Sequence, residues 1–376
     1  MDPILSWARK NRSKLIALIR ALVECESPSD SLVDLRRFTE LLAESTVDIA
    51  ASRRMPTGAL ISKFKLRKQN RSGQILVLGH ADTVWPKGTL KTMPFRHAQG
   101  RLWGPGVLDM KAGLALFIFA MRALRELEIP VSHDAVMLVN PDEETGSKAS
   151  RAGTEALARQ SRAVLVLEPG TGLTGRAKTA RKGIGAYSLK VHGIAAHAGV
   201  DYGRGASAVI ELARQIERIA GFTDLKRGIT VNPGVIKGGT RSNVTAAEAS
   251  AEIDIRAPRF VDARILERKF RSLRPFDRRC SIEIRGGLNR PPMERSKGAV
   301  ELFTLARRLG GDLGIDLEES STGGGSDGNF TAALGIPTLD GLGAVGEGAH
   351  AAHESVLIDR LPDRVALLAK LTAAIS

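Results

Sequence analysis

Three short runs, QILVLGH (74–80), DAVMLVN (134–140) and AVLVLEP (163–169), constrain this chain more than anything else in it. Each is almost continuously apolar and rich in strand-forming residues, without the polar alternation of a strand that has one wet face. Such runs need cover on both faces, and a parallel sheet held between helices supplies it. Segments with helical spacing of apolar residues lie between them, KAGLALFIFAMRALREL (111–127) and SKASRAGTEALARQ (147–160). The chain closes in the same style, with helix-like VELFTLARRLG (300–310), strand-like PTLD (337–340) and helix-like LPDRVALLAKLTAAI (361–375). This order predicts an α/β fold, a mixed but mostly parallel sheet flanked by helices.

The middle of the chain follows a different rule. GAYSLKVHG (185–193) alternates, GASAVIELARQIERIA (205–220) is amphipathic, and GITVNPGVIKGG (228–239) and ASAEIDIRAP (249–258) read as strands. DARILERKFRSL (262–273) reads as a helix and CSIEIRGG (280–287) as a last strand. The order β-α-β-β-α-β is that of a ferredoxin-like split βαβ unit. We therefore expect an inserted α+β domain over residues 182–289, with a catalytic domain formed by residues 1–181 and 290–376.

Composition removes several classes. The most apolar helical run, AGLALFIFAMRAL (112–124), is too short to cross a bilayer and carries Arg122. The N-terminal stretch to residue 24 has basic residues between helically spaced apolar ones and reads as an amphipathic first helix. It lacks the continuous apolar core and small-residue cleavage site of a secretory signal, so a cytoplasmic protein is expected. Cys25 and Cys280 sit in no CxxC pattern and suggest packing rather than a disulfide or thiolate site. The net charge is +14, but the basic residues are dispersed and aromatics make up only 4%. That pattern disfavours a nucleic-acid partner and suits an anionic small substrate.

Ligands of open α/β sheets bind beyond the carboxyl ends of the strands. The acids and histidines of this chain gather there. His80 ends one run and Asp82 follows, Glu143 and Glu144 follow another in NPDEETGS, and Glu168 ends the third. Asp109 lies in the glycine-broken segment WGPGVLDMKAG, ahead of the long helix. Carboxylates massed on one rim repel one another unless cations offset them. Imidazole nitrogen with carboxylate oxygen is a zinc-type donor set, and so many donors suit two metals bridged by a shared carboxylate. Asp82 could accept the second N–H of the His80 ring and fix its tautomer.

The motifs HADTVWP (80–86), WGPGVLDMKAG (103–113), DEETGS (142–147), LEP (167–169), RKGIGAYSLKVHGIAAHAG (181–199), GGTRSNV (238–244), DIR (254–256), RPP (290–292), GGGSDGN (323–329) and GAHAAHE (348–354) occur in this order over nearly the whole chain. Together they resemble the dizinc metallopeptidase family of carboxypeptidase G (glutamate carboxypeptidase), acetylornithine deacetylase and succinyl-diaminopimelate desuccinylase. The resemblance implies a zinc-exopeptidase fold whose inserted lid makes a homodimer. It implies His80, Asp109, Glu144, Glu168 and His350 as ligands of two divalent ions, Zn2+ with Co2+ or Mn2+ as alternatives, Asp109 being shared. His350 stands four residues before Glu354, as in many relatives, and His353 is the alternative ligand. Glu143 is the implied general base, Asp82 the residue orienting His80, and His197 the lid histidine that serves the partner's site.

Further roles follow from the same resemblance. Arg290 matches a substrate-carboxylate arginine, with a hinge salt bridge as the competing reading. Asn243, Arg256, Gly325 and Ser326 are further substrate-binding candidates, Arg256 with a bracing role as its alternative. NVTAAEA (243–249) lacks the proline usual after the asparagine. The expected activity is hydrolysis of the amide bond of an N-acyl or peptidyl amino acid with a free carboxylate. Deacylation of acetylornithine or a succinylated amine is the alternative, and a metal-free binding protein on the same fold a remote one.

Overall fold

Gln74–His80 and Asp134–Asn140 form strands over the same residues that the apolar runs occupy, and Ser161–Val166 forms a third. The computed structural model describes residues 2–67 and 72–376; Met1, at the head of the expected first helix, and residues 68–71 lie outside the described residues. The strands belong to a six-stranded sheet in the spatial order 50–54, 60–64, 134–140, 74–80, 161–166, 338–339. Pairing is parallel from Asp134–Asn140 through Gln74–His80 and Ser161–Val166 to Thr338–Leu339. The hairpin Ala50–Arg54/Leu60–Phe64 adds an antiparallel edge that the periodicity did not announce.

Both faces of the central strands are covered, which is why their sequence does not alternate. Ile75, Val77, Met137 and Val139 pack into a core with helices Ala112–Glu126 and Leu361–Ala374. Leu76, Leu78, Leu138, Val164 and Val166 pack into a second core with Ala158 of helix Arg151–Ala158. Helix Ala112–Glu126 is buried at every position from Ala112 to Met121, as expected of a helix without a polar face. The N-terminal segment is two helices, Pro3–Lys10 and Arg12–Glu24, rather than one.

The chain divides into two compact units. One comprises the residues up to Ala180 with Arg295–Thr322 and Ser326–Ser376, the other Arg181–Glu294 with Gly323–Gly325. The second unit holds a four-stranded antiparallel sheet in the spatial order 230–238, 248–257, 183–192, 281–290, with helices Ala208–Ala220 and Phe260–Arg271. That order is the ferredoxin-like one. Period-two burial sends Tyr187, Leu189, Val191, Ala251, Ile253 and Ile255 to one face, where they meet Leu212, Ile219, Leu266 and Phe270. Tyr187 stacks on Phe270 with ring centroids 3.9 Å apart.

Strand register positions the acidic rim. His80 lies opposite Asn140 in one ladder, and Leu78 lies opposite Val166 in the other. Two residues beyond each member of the second pair come His80 and Glu168, so the three strands deliver their chemistry at one level of the sheet.

Candidate metal centre

His80, the last residue of its strand, is buried, and its ring is held at both nitrogens. Nδ1 lies 2.8 Å from the Asp82 carbonyl oxygen, and Nε2 lies 3.0 Å from Asp109 Oδ1 and 3.7 Å from Glu168 Oε1. Asp109 sits in the segment Val107–Lys111, with φ −115° and ψ 94°, just ahead of helix Ala112–Glu126. The segment is bracketed by two glycines that cannot be replaced cheaply. Gly106 has φ +71° and a Cβ there would stand 2.7 Å from Thr83 Cγ2, while a Cβ on Gly113 would run into the Leu167 carbonyl. The tight approach at Gly113 brings the helix start against the residue before Glu168.

The other oxygen of Asp109 faces a second histidine. His350, at φ 62°, places Nε2 3.3 Å from Asp109 Oδ2 and 3.3 Å from Glu144 Oε1. Two donor groups result, His80–Asp109–Glu168 and Asp109–Glu144–His350, each with its ligand atoms within 4.8 Å of one another. Asp109 is common to both. His353 joins neither group; it is exposed and packs beside Gly348.

Asp82 departs in part from its expected contact. Its carboxylate accepts the backbone amides of Glu143 and Glu144, each at 3.1 Å, and the Ser29 hydroxyl at 3.0 Å. The His80 ring lies 3.5 Å from Asp82 Oδ1, and its closer partner is the Asp82 carbonyl. The turn after Asn140 opens with amides that no ladder satisfies, and a buried carboxylate is the acceptor they find. Asp327 ties both ends of the turn, accepting the Ser147 hydroxyl at 2.5 Å and the Asn140 side-chain Nδ2–H at 2.6 Å.

The imidazoles and carboxylates of this cluster shift one another's affinity for protons. Burial opposes charge on His80, yet hydrogen bonds with Asp109 and Asp82 hold its pKa well above the usual imidazole value. Asp109 and Glu144 push His350 up to about 10. Burial disfavours the Asp109 carboxylate, but His350 and His80 hold it far below the ordinary range. Glu144 Oε1 is buried and accepts no hydrogen bond among the described residues, although His350 Nε2 is near. Two imidazoles and three carboxylates, one of them shared, with a buried oxygen that lacks a donor, suit a pair of divalent cations, and the residues fit that group.

The remaining candidates have varied surroundings. Ser326 is fully buried and donates its hydroxyl to Asp340 at 2.6 Å, while its amide donates to Asn329 Oδ1. Arg256 forms a bidentate pair with Asp254 at 2.8 and 3.0 Å and donates to the Gly323 carbonyl. Arg290 is buried and packs against Gly325. His197 and Asn243 are exposed on neighbouring segments. The Asn243 carbonyl accepts the Ala198 amide at 3.0 Å, and His197 Nδ1 accepts the Gly199 amide at 3.1 Å. Among the residues that the sequence pattern did not single out, Glu354 and Arg364 matter most. Arg364 is fully buried and donates to the carbonyls of Gly343, Gly175 and Gly341, and the Gly343 amide in turn donates to the Glu168 carbonyl. A buried acid directly before SVL and a buried arginine in an apolar helix are visible only once burial is known.

An α/β sheet with an acid- and histidine-lined carboxyl rim is an arrangement suited to a metal-dependent hydrolase. The model of peptidase family M20/M25/M40 matches residues 76–374, and the chain belongs to that family. It is thus a metallopeptidase-type hydrolase. Carboxypeptidase G2 of Pseudomonas sp. (strain RS-16) is 29% identical over 322 residues, which cover 83% of this chain and 75% of that protein. Aminopeptidase PepT of Bacillus cereus has the same fold, with a TM-score of 0.80 at 22% identity, covering 97% of this chain and 99% of PepT. YXEP of Bacillus subtilis, described as a dinuclear metal binding peptidase from the M20 family, superposes with a TM-score of 0.68 at 14% identity over 97% of this chain and 98% of its own.

Proposed function

We propose that the chain is a dinuclear zinc amidohydrolase of glutamate-carboxypeptidase type, cleaving the amide bond of an N-acyl or peptidyl amino acid that carries a free carboxylate. The observation that carries this reading is the sharing of Asp109, whose two oxygens face His80 at 3.0 Å and His350 at 3.3 Å. The similarity to carboxypeptidase G2 supports the substrate class.

His80 and Glu168 would hold one ion, Glu144 and His350 the other, with Asp109 between them. When bound, such ions acidify a water and polarise a carbonyl oxygen. Glu143 takes the proton of the attacking water as the C–O bond to the amide carbon forms, and then gives it to the leaving amine nitrogen as the C–N bond breaks. Asp82 fixes the turn from which Glu143 projects. Arg290 is the group proposed to recognise the free carboxylate, as a planar fork suits that anion. Gly325 supplies backbone beside it. Asn243 is a further group proposed to bind the substrate, and His197 is proposed to serve the active site of a second subunit in a cytoplasmic homodimer formed through the 181–294 unit.

A panel of N-acyl glutamates, acetylornithine and succinyl-diaminopimelate, assayed with zinc-loaded protein, tests the reading. Hydrolysis of the glutamate series at the highest kcat/KM is expected. Preference for acetylornithine or the succinylated amine would replace it with the deacylase reading.

A further inference from the structure

Glu354 belongs to neither donor group, yet it is fully buried beside them. Both of its oxygens are fully used. Oε1 accepts the amides of Leu108 at 2.8 Å and Asp109 at 3.0 Å; Oε2 accepts the amide of Gly106 at 2.9 Å and the Trp85 indole at 2.8 Å. The Glu354 carbonyl also accepts the Gly104 amide, at 3.4 Å. Three amides of one short segment converge on a single carboxylate, a backbone nest of the kind that otherwise binds anions, filled here by the chain's own side chain.

We propose that Glu354 is a positioning residue that locks the Asp109 segment to the His350 loop, and that this lock sets how tightly the site holds its second metal ion. The inference rests on the dinuclear reading above. Asp109 has extended backbone angles within an irregular segment, so neither a helix nor a strand ladder fixes its amide. Glu354 does so directly, and it stands only four residues after His350. One carboxylate therefore joins the shared ligand to a ligand of the second group. Orienting Asp109 so that its oxygens face two imidazoles demands a rigid support, and outer partners of this kind tune metal affinity strongly. Simple filling of space would not explain a buried carboxylate, because an apolar side chain fills space without the desolvation cost.

The substitution Glu354→Gln keeps the shape but leaves one oxygen, and sets an NH2 group against N–H donors that now lack an acceptor. The test is Mn2+ binding to metal-free full-length protein, by calorimetry and by the exchange-coupled electron paramagnetic resonance signal of a manganese pair. Wild type is expected to take two ions per chain and show the coupled signal. Glu354→Gln is expected to bind the second ion at least tenfold more weakly and to lose the coupling, with its circular dichroism unchanged. Glu354→Asp, which keeps the charge but not the reach, is expected to show the same direction of change and serves if the glutamine variant does not fold. Leu368→Ala, a fully buried helix position, is the control for general destabilisation and should leave both affinities unchanged. Two ions with wild-type affinity and coupling in Glu354→Gln, or in Glu354→Asp if only that variant folds, would overturn the proposal. So would equal weakening in Leu368→Ala. A wild-type protein that binds fewer than two ions would instead overturn the dinuclear reading.

Discussion

Asp82 and Glu143 are joined through the backbone: the Asp82 carboxylate accepts the Glu143 amide at 3.1 Å, and its other oxygen accepts the amide of Glu144 at the same distance. A single buried acid thus aims two neighbouring glutamates with different proposed tasks. Adjacent residues of a turn can point to different sides, and on the proposed reading one reaches a metal and the other a water.

Glu143→Ala isolates the second of those tasks. The donor groups do not include Glu143, so metal content should stay at the wild-type level. Turnover should fall by about 10²–10⁴-fold, the range for loss of a general base. Parallel metal analysis and kcat measurement check this.

Asp82→Asn should weaken the aim of the turn without emptying the site. An amide group has one acceptor oxygen, and its NH2 end would face a backbone N–H. We expect kcat/KM to drop by about 10–100-fold, as for other residues that orient ligands. Steady-state kinetics with metal quantification check the result; wild-type kinetics would remove Asp82 from the account.

A pH test lies in the 181–294 unit. Asp262, in the first turn of helix Phe260–Arg271, is buried and pairs with Arg259 at 2.9 Å and with Arg227. Its hydrogen bond to Arg259 holds the carboxyl below the usual value, against an opposing effect of burial. A folded-state pKa below the unfolded one gives stability that is present above the ordinary carboxylate range and is lost as pH falls through the depressed value. Asp262→Asn should therefore cost about 2 kcal/mol at pH 7, the scale of a charge-assisted hydrogen bond. The difference from wild type should shrink on acidification. Denaturant unfolding of both proteins from pH 7 to pH 3 reads it.

Much of this fold was legible because burial on both faces leaves a plain trace. Gln74–His80 and Asp134–Asn140 form strands over the residues that their apolar runs mark, and a parallel register then brings His80 level with Glu168. The hairpin Ala50–Arg54/Leu60–Phe64 left a fainter mark, since Ser52, Arg53 and Lys63 interrupt it at a sheet edge. Ser326 follows a triple glycine, and that its hydroxyl donates to Asp340 in the interior was not legible in the sequence. Glu354 served only to mark spacing, because nothing in HE predicts that three amides of the 106–109 segment and the Trp85 indole will close on it. Histidine choice needed coordinates as well: His350 and His353 differ in which one the loop turns toward Asp109.

The central claim is that Asp109 is shared between two divalent cations. Metal quantification on purified protein, before and after exhaustive chelation, with activity measured on the same samples, tests it most directly. We predict two ions per chain in the active form, loss of turnover on removal, and recovery only as the second equivalent of Zn2+ is restored. Full activity in protein stripped of metal, or complete recovery with a single equivalent, would contradict it.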